Sequence, residues 1–207
     1  MNSQTVRESI AGPAGALECA LDSPSGEAQG VAVICHPHPV HGGTMDNKVV
    51  QTLARAFVQL AWRTVRFKFR GAGGSEGEWD EGQGEVDDAM AVIAAFRHPG
   101  EALMLAGFSF GAYVAAEAAA RLGADAKPQR LVLVGPSTQK QKMATVPPDT
   151  LVVHGEADEV VPLAATFDWA RPQSLPVIVL PGVGHFFHGQ LTLLKNVVVQ
   201  QLQRPMV

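Results

Sequence analysis

The chain has 207 residues, 46% of them apolar and 17% charged, with a formal net charge of −4. That length and composition fit one domain, spanning residues 1–207, with a buried core, and they exclude a disordered chain. The acidic balance argues against a nucleic-acid or anionic-membrane binder, whose affinity draws on a surplus of Lys and Arg. No apolar run is long enough to span a bilayer. The opening stretch MNSQTVRESIAGPAG has neither a basic start nor an apolar signal core, so a soluble cytoplasmic protein is expected.

Alternating segments at 4–10 and 16–21, separated by AGPAG, predict a hairpin at one edge of a sheet. Runs rich in Val, Ile, Leu and Phe then predict strands at 30–35, 64–69, 102–106, 130–134, 151–154 and 177–180. Blocks with helical apolar spacing, or rich in Ala, lie between and after them at 48–61, 85–96, 110–122, 162–170 and 189–202. Continuous apolar strands alternating with helices define the α/β class: a mostly parallel sheet, helices on both faces, because each parallel crossover lays a helix over the sheet. Cys19 and Cys35 fall in separate strand-like segments and read as small buried residues rather than a disulfide. The pattern specifies no oligomeric state.

After the strand at 102–106 the chain reads GFSFGAYVAAEAAARL, in which Gly107-Phe108-Ser109-Phe110-Gly111 fits G-x-S-x-G on a strand–turn–helix. Glycines flanking Ser109 relieve the crowding of a sharp turn that exposes its Oγ, and the following helix aims its free N–H groups at the same spot. A serine hydroxyl is a weak nucleophile, so it needs a base, and the base needs an acid to fix its tautomer. Both types occur downstream, each in a loop past a strand's C-terminal end: Asp158 in HGEADEVVP and His185 in PGVGHFFHG. Asp158 also has a capping reading for the helix near Pro162, and Glu156 and Glu159 are rival carboxylates. His188 rivals His185; the Gly182–Gly184 turn favours His185, and His188 is expected to start the last helix. The order Ser, Asp, His is that of the α/β-hydrolases.

The stretches CHPHPVHGGTMDNKVV, FKFRGAGGSEGEWDEGQGEVDDA, GFSFGAYVA, HGEADEVVP and GVGHFFHG together resemble the small cap-less serine hydrolases of the α/β-hydrolase superfamily. The resemblance runs from about Gly30 onward. It implies a mostly parallel sheet with antiparallel N-terminal edge strands and hydrolysis of ester-like bonds. Ser109 would be the nucleophile, His185 the base and then acid, and Asp158 the orienting acid. One position departs: many members carry an Asp where this chain has Lys68. About fifteen residues lie between the strands at 130–134 and 151–154, where many members insert a cap. That is too short for a separate domain, so an open site is expected.

The same resemblance bears on HPHPVHGG, the loop after the strand at 30–35. Such loops supply an oxyanion-hole N–H. Pro37 and Pro39 have none to give, and His38 sits at the usual donor position, so the backbone of His38 is expected to act with that of Phe110. The side chains of His36 and His38 are expected to stiffen the loop by hydrogen bonding. A rival reading takes His36, His38 and His41 as metal ligands, but H-x-H-x-x-H here carries Val40 where a metallo-β-lactamase-like motif has Asp, and zinc would need further ligands from later loops.

Several other features read as structural. Arg70 fixes neighbouring loops, the acidic run from Glu76 to Asp88 sits solvated, and Trp62, Trp79 and Trp169 pack in core or loops. Phe108, Phe110, Phe186 and Phe187 are candidates for an acyl surface, with Phe108 alternatively buried beneath the turn. The expected activity is cleavage of a small ester or thioester through an acyl-enzyme, with no metal and no organic cofactor, and with neither nucleic acid nor membrane as partner. The competing class is a catalytically silent binding protein on the same fold.

Overall fold

A computed structural model describes residues 5–203 of the chain. Its centre is one eight-stranded sheet in the order β1-β2-β4-β3-β5-β6-β7-β8. The strands are β1 (Val6–Gly12), β2 (Gly15–Asp22), β3 (Gly30–Cys35), β4 (Arg63–Phe67), β5 (Ala102–Phe108), β6 (Arg130–Val134), β7 (Leu151–Gly155) and β8 (Val177–Leu180). β1 and β2 form an edge hairpin closed through Gly12 and Gly15, and β2 runs antiparallel to β4. Every pairing from β4 across to β8 is parallel. The expected hairpin is present, with β1 two residues later than its pattern suggested and β2 one residue longer at each end; Gln4 lies outside the described residues.

The pleat divides the core. Val31, Val33 and Cys35 of β3 face one side with Val65 and Phe67, where α2 (Gln83–Phe96) and α3 (Phe110–Arg121) cover them. Ala32 and Ile34 face the other side, beneath α1 (Lys48–Gln59) and α5 (Leu191–Gln203). α4 (Leu163–Ala170) joins the first layer through Ala170. Strands buried on both faces read as unbroken apolar runs, which is why β3, β5 and β6 were visible without alternation; β4 reads RTVRF, its Arg66 buried against Asp22. Both cysteines are buried and free, and burial pushes the Cys19 thiol up to about 12.

The strand order opens a crevice. From β3 the chain crosses to β4 on one side, and then β5 lies on the other. Loops leaving the C-terminal ends of β3 and β5 thus diverge, and such a switch point is where open α/β sheets hold ligands. The β6–β7 connection carries no regular element among the described residues, so no cap covers it.

Two expectations need correction here. The acidic run is only partly solvated: Glu85 and Asp88 are fully buried. Glu85 accepts the Asp80 and Gly82 N–H groups at the start of α2, and Asp88 receives Nε and Nη2 of Arg70 at 3.1 and 2.8 Å. Asp88 also accepts the Arg70 amide, so a buried bidentate pair fixes the loop after β4. His188 does not start α5, which begins at Leu191; its ring packs 5.8 Å from Phe186 instead. Lys68, at the position where the family pattern has an acid, pairs with Glu18 at 2.6 Å.

Candidate active site

Ser109 sits between β5 and α3 with φ 56° and ψ −118°. Positive φ is strained for a side chain with Cβ, and here the fold enforces it. The amide of Ser109 donates to Val134 O at 2.9 Å, and its carbonyl accepts from Ala112 and Ser137. The turn is tight enough that a Cβ at Gly107 would meet the Gly111 backbone, and one at Gly111 would meet the Cys35 and His36 carbonyls. A larger residue at Gly107 would push β5 away from α3, and one at Gly111 would push α3 away from the end of β3.

Three side chains from three loops converge there. His185 Nε2 lies 3.0 Å from Ser109 Oγ, and His185 Nδ1 lies 2.7 Å from Asp158 Oδ2. An ionised carboxylate only accepts, so Nδ1 carries the proton and Nε2 is left to accept from the serine hydroxyl. Asp158 is not a helix cap. Its Oδ1 accepts the Val160 and Val161 amides at 2.9 and 2.7 Å, which turns Oδ2 toward the imidazole. Burial works to raise the Asp158 pKa, but the His185 hydrogen bond and these amides outweigh it and hold the carboxyl below its usual range. The rival acids have other tasks: Glu156 accepts the Gly182 N–H, and Glu159 the His185 N–H.

The loop after β3 forms the facing wall. His36 is fully buried; its Nδ1 donates to Pro37 O at 2.6 Å and its Nε2 accepts the Phe69 N–H at 3.0 Å. Burial pushes its pKa down to about 4, so it is neutral with both nitrogens engaged inside the protein. This removes it from any ligand set with His38 and His41, and no His/Cys/Asp/Glu group suited to a metal occurs among the described residues. His36 thus stiffens the loop as expected. His38 does so differently: its buried Nδ1 has no hydrogen-bond partner, and its ring packs against His41, Trp79 and Phe110 at 4.5, 4.3 and 5.1 Å. The His38 carbonyl accepts from His41 and Gly43, folding the loop back through the 3₁₀ turn Pro39–His41.

Ser109, His185, His38 and Phe110 all line one cavity of about 140 Å³. Phe110 is the first residue of α3, where an N–H has no intrahelical acceptor. Of the four phenylalanines considered for an acyl surface, only Phe186 is exposed, at 41%; Phe108 and Phe187 are buried, and the Phe110 ring packs into the aromatic cluster. Sequence reasoning missed Val160, Val161, Ser137 and Lys140 in the lining. Val160 and Val161 lie two and three residues after Asp158, in the turn that its carboxylate holds; Val160 is exposed and Val161 buried.

A strained serine beneath a helix N-terminus, joined through histidine to a buried acid on an uncapped α/β sheet, defines a serine hydrolase of the α/β-hydrolase class. The family model described as serine aminopeptidase, S33 matches residues 27–149, and the chain belongs to that family. It is similar, at 37% identity and a TM-score of 0.90, to an α/β serine hydrolase without lid from Xanthomonas campestris, covering 100% of this chain and 98% of that one. An α-β serine hydrolase homologue from Coxiella burnetii is 40% identical over 98% of both chains, with a TM-score of 0.82. An uncharacterized Rickettsia prowazekii protein is 36% identical over 107 residues, 50% of this chain and 45% of that protein, so the match spans about half the length of this curated relative. No described helix is long and apolar enough to cross a membrane.

Proposed function

We propose that the chain hydrolyses small carboxylic esters or thioesters through an acyl-enzyme. The observation that carries this reading is the continuous Ser109–His185–Asp158 hydrogen-bonded chain, 3.0 and 2.7 Å long at its two links, opening into a cavity. Ser109 Oγ attacks the substrate carbonyl carbon while His185 Nε2 takes its proton, and Asp158 stabilises the resulting imidazolium. The N–H groups of Phe110 and His38 receive the oxyanion. His185 then protonates the leaving alkoxide or thiolate, and water, deprotonated by the same imidazole, releases the acid. The residues present complete this cycle without a metal or organic cofactor.

The lining supports esters over the aminopeptide substrates that the family description suggests. Its ionisable side chains are Lys140, His38, His41 and His185, with no carboxylate to receive a free α-ammonium group. Phe186, Val160 and Val161 offer an apolar wall, and the small volume fits a short acyl chain. The test is hydrolysis of p-nitrophenyl acetate and butyrate, a butyryl thioester and an aminoacyl p-nitroanilide, each with and without EDTA. Ester or thioester turnover that EDTA leaves unchanged is expected. A preference for the aminoacyl anilide would replace this reading with an aminopeptidase, and loss of activity in EDTA would replace it with a metal mechanism.

A further inference from the structure

His154 is a fully buried imidazole on β7, four residues before the acid, and the cycle above leaves it without a task. Its surroundings fix its protonation. Nε2 lies 2.9 Å from the Val161 carbonyl, which only accepts, so Nε2 carries a proton. Nδ1 lies 3.2 Å from Thr166 Oγ1 and, in the neutral ring, accepts that hydroxyl's proton. Thr166 in turn lies 3.2 Å from Thr138 Oγ1, which is then the donor between the two. The result is a directed chain from Thr138 through Thr166 and His154 to Val161. Burial lowers the His154 pKa, in keeping with the neutral ring.

The far end of this chain is the turn that holds the acid. Val161 gives its N–H to Asp158 Oδ1 and its carbonyl to His154, so the imidazole ties that turn to the β7 strand. The same Nε2 lies 3.4 Å from Asp158 Oδ2, the oxygen that accepts from His185. The Nε2–H is aimed at the Val161 carbonyl, and its partial positive charge lies beside the carboxylate. We infer that His154 is a positioning residue: it clamps Val161, and through Val161 it holds Asp158 in the orientation that the His185 hydrogen bond requires. This rests on the serine mechanism proposed above. Thr166 and Thr138 keep the ring in the donating tautomer, tying the acid's orientation to α4 and to the loop after β6, whose Ser137 lines the cavity.

The test compares His154→Leu, which removes the N–H, with His154→Gln, whose Nε2 amide can reach the same carbonyl. Both are assayed for kcat and KM on p-nitrophenyl butyrate, with thermal unfolding as the fold control. Loss of a hydrogen bond that orients a charged group predicts a kcat lower by about tenfold in the Leu variant, with KM unchanged. The Gln variant should recover most of it. Thr166→Val, which leaves the imidazole in place but frees its tautomer, should lower kcat by about threefold and decides the matter if His154→Leu does not fold. Unchanged kcat in a folded Leu variant, equal losses in Leu and Gln, or a Thr166→Val variant with full kcat would each overturn the role. Fluorophosphonate labelling of the unmodified protein separates this from the underlying reading: a labelled protein indifferent to His154 refutes only the clamp, whereas an unlabelled one refutes the serine mechanism.

Discussion

Two regions of the molecule hold histidines close to Ser109 and use them in opposite ways. The loop after β3 packs three into six positions, and its imidazoles are spent on architecture: His36 is sealed between Pro37 O and the Phe69 amide, and His38 is stacked on Trp79 and Phe110. The loops after β7 and β8 hold their partners 27 residues apart, yet His185 and Asp158 meet at 2.7 Å beside the serine. Dense spacing in the chain thus marked the stiff wall of the site, while sparse residues delivered by three strand ends met at the reacting hydroxyl. What distinguishes the two is where the ring nitrogens point, into the protein or toward Ser109.

The largest effect that would break this contrast lies at the serine. By analogy with measured serine proteases, Ser109→Ala should lower kcat on p-nitrophenyl butyrate by about six orders of magnitude while circular dichroism stays unchanged. Asp158→Asn keeps the shape but inverts the His185 tautomer, and it should cost about four orders in the same assay. In the wall the proposed oxyanion role predicts that the backbone matters more than the ring. His38 has φ −51°, a value proline adopts, so His38→Pro removes the N–H with little backbone change and should cost about two to three orders in kcat. His38→Ala keeps the N–H and should retain activity within about tenfold. Equal losses in the two variants would return the role to the imidazole.

A separate effect concerns His36 and is read in stability rather than rate. Its folded pKa of about 4 lies below the unfolded value of about 6.5, so the unfolded chain binds the extra proton between them. Stability from this group is complete above the unfolded pKa and is lost as pH falls toward about 4, by up to about 3 kcal/mol. Unfolding in urea across that range should show a steeper pH slope for the unmodified protein than for His36→Phe, by up to about one proton.

The strands and the elbow were legible because their causes are local. An unbroken apolar run marks a strand covered on both faces, and G-x-S-x-G marks a turn that only glycines let close. That Ser109, Asp158 and His185 meet followed from each lying past a strand's end. Arg70 was legible as a residue that fixes loops, but its partner Asp88 and the burial of Glu85 were not, because an acidic run looks the same in sequence whether it meets water or a guanidinium folded over it. Nor was the His154 clamp, since its partners come from α4, from the loop after β6 and from the turn after β7. The trace it left was a single titratable residue inside the apolar run LVVHG.

The central claim, that His185 and Asp158 activate Ser109 as a nucleophile, is tested most directly by fluorophosphonate labelling followed by peptide mass mapping. The account predicts one adduct per chain, on the peptide containing Ser109, absent after Ser109→Ala and strongly slowed after Asp158→Asn. An unlabelled Ser109 in the folded protein, or an adduct on another residue, would contradict it.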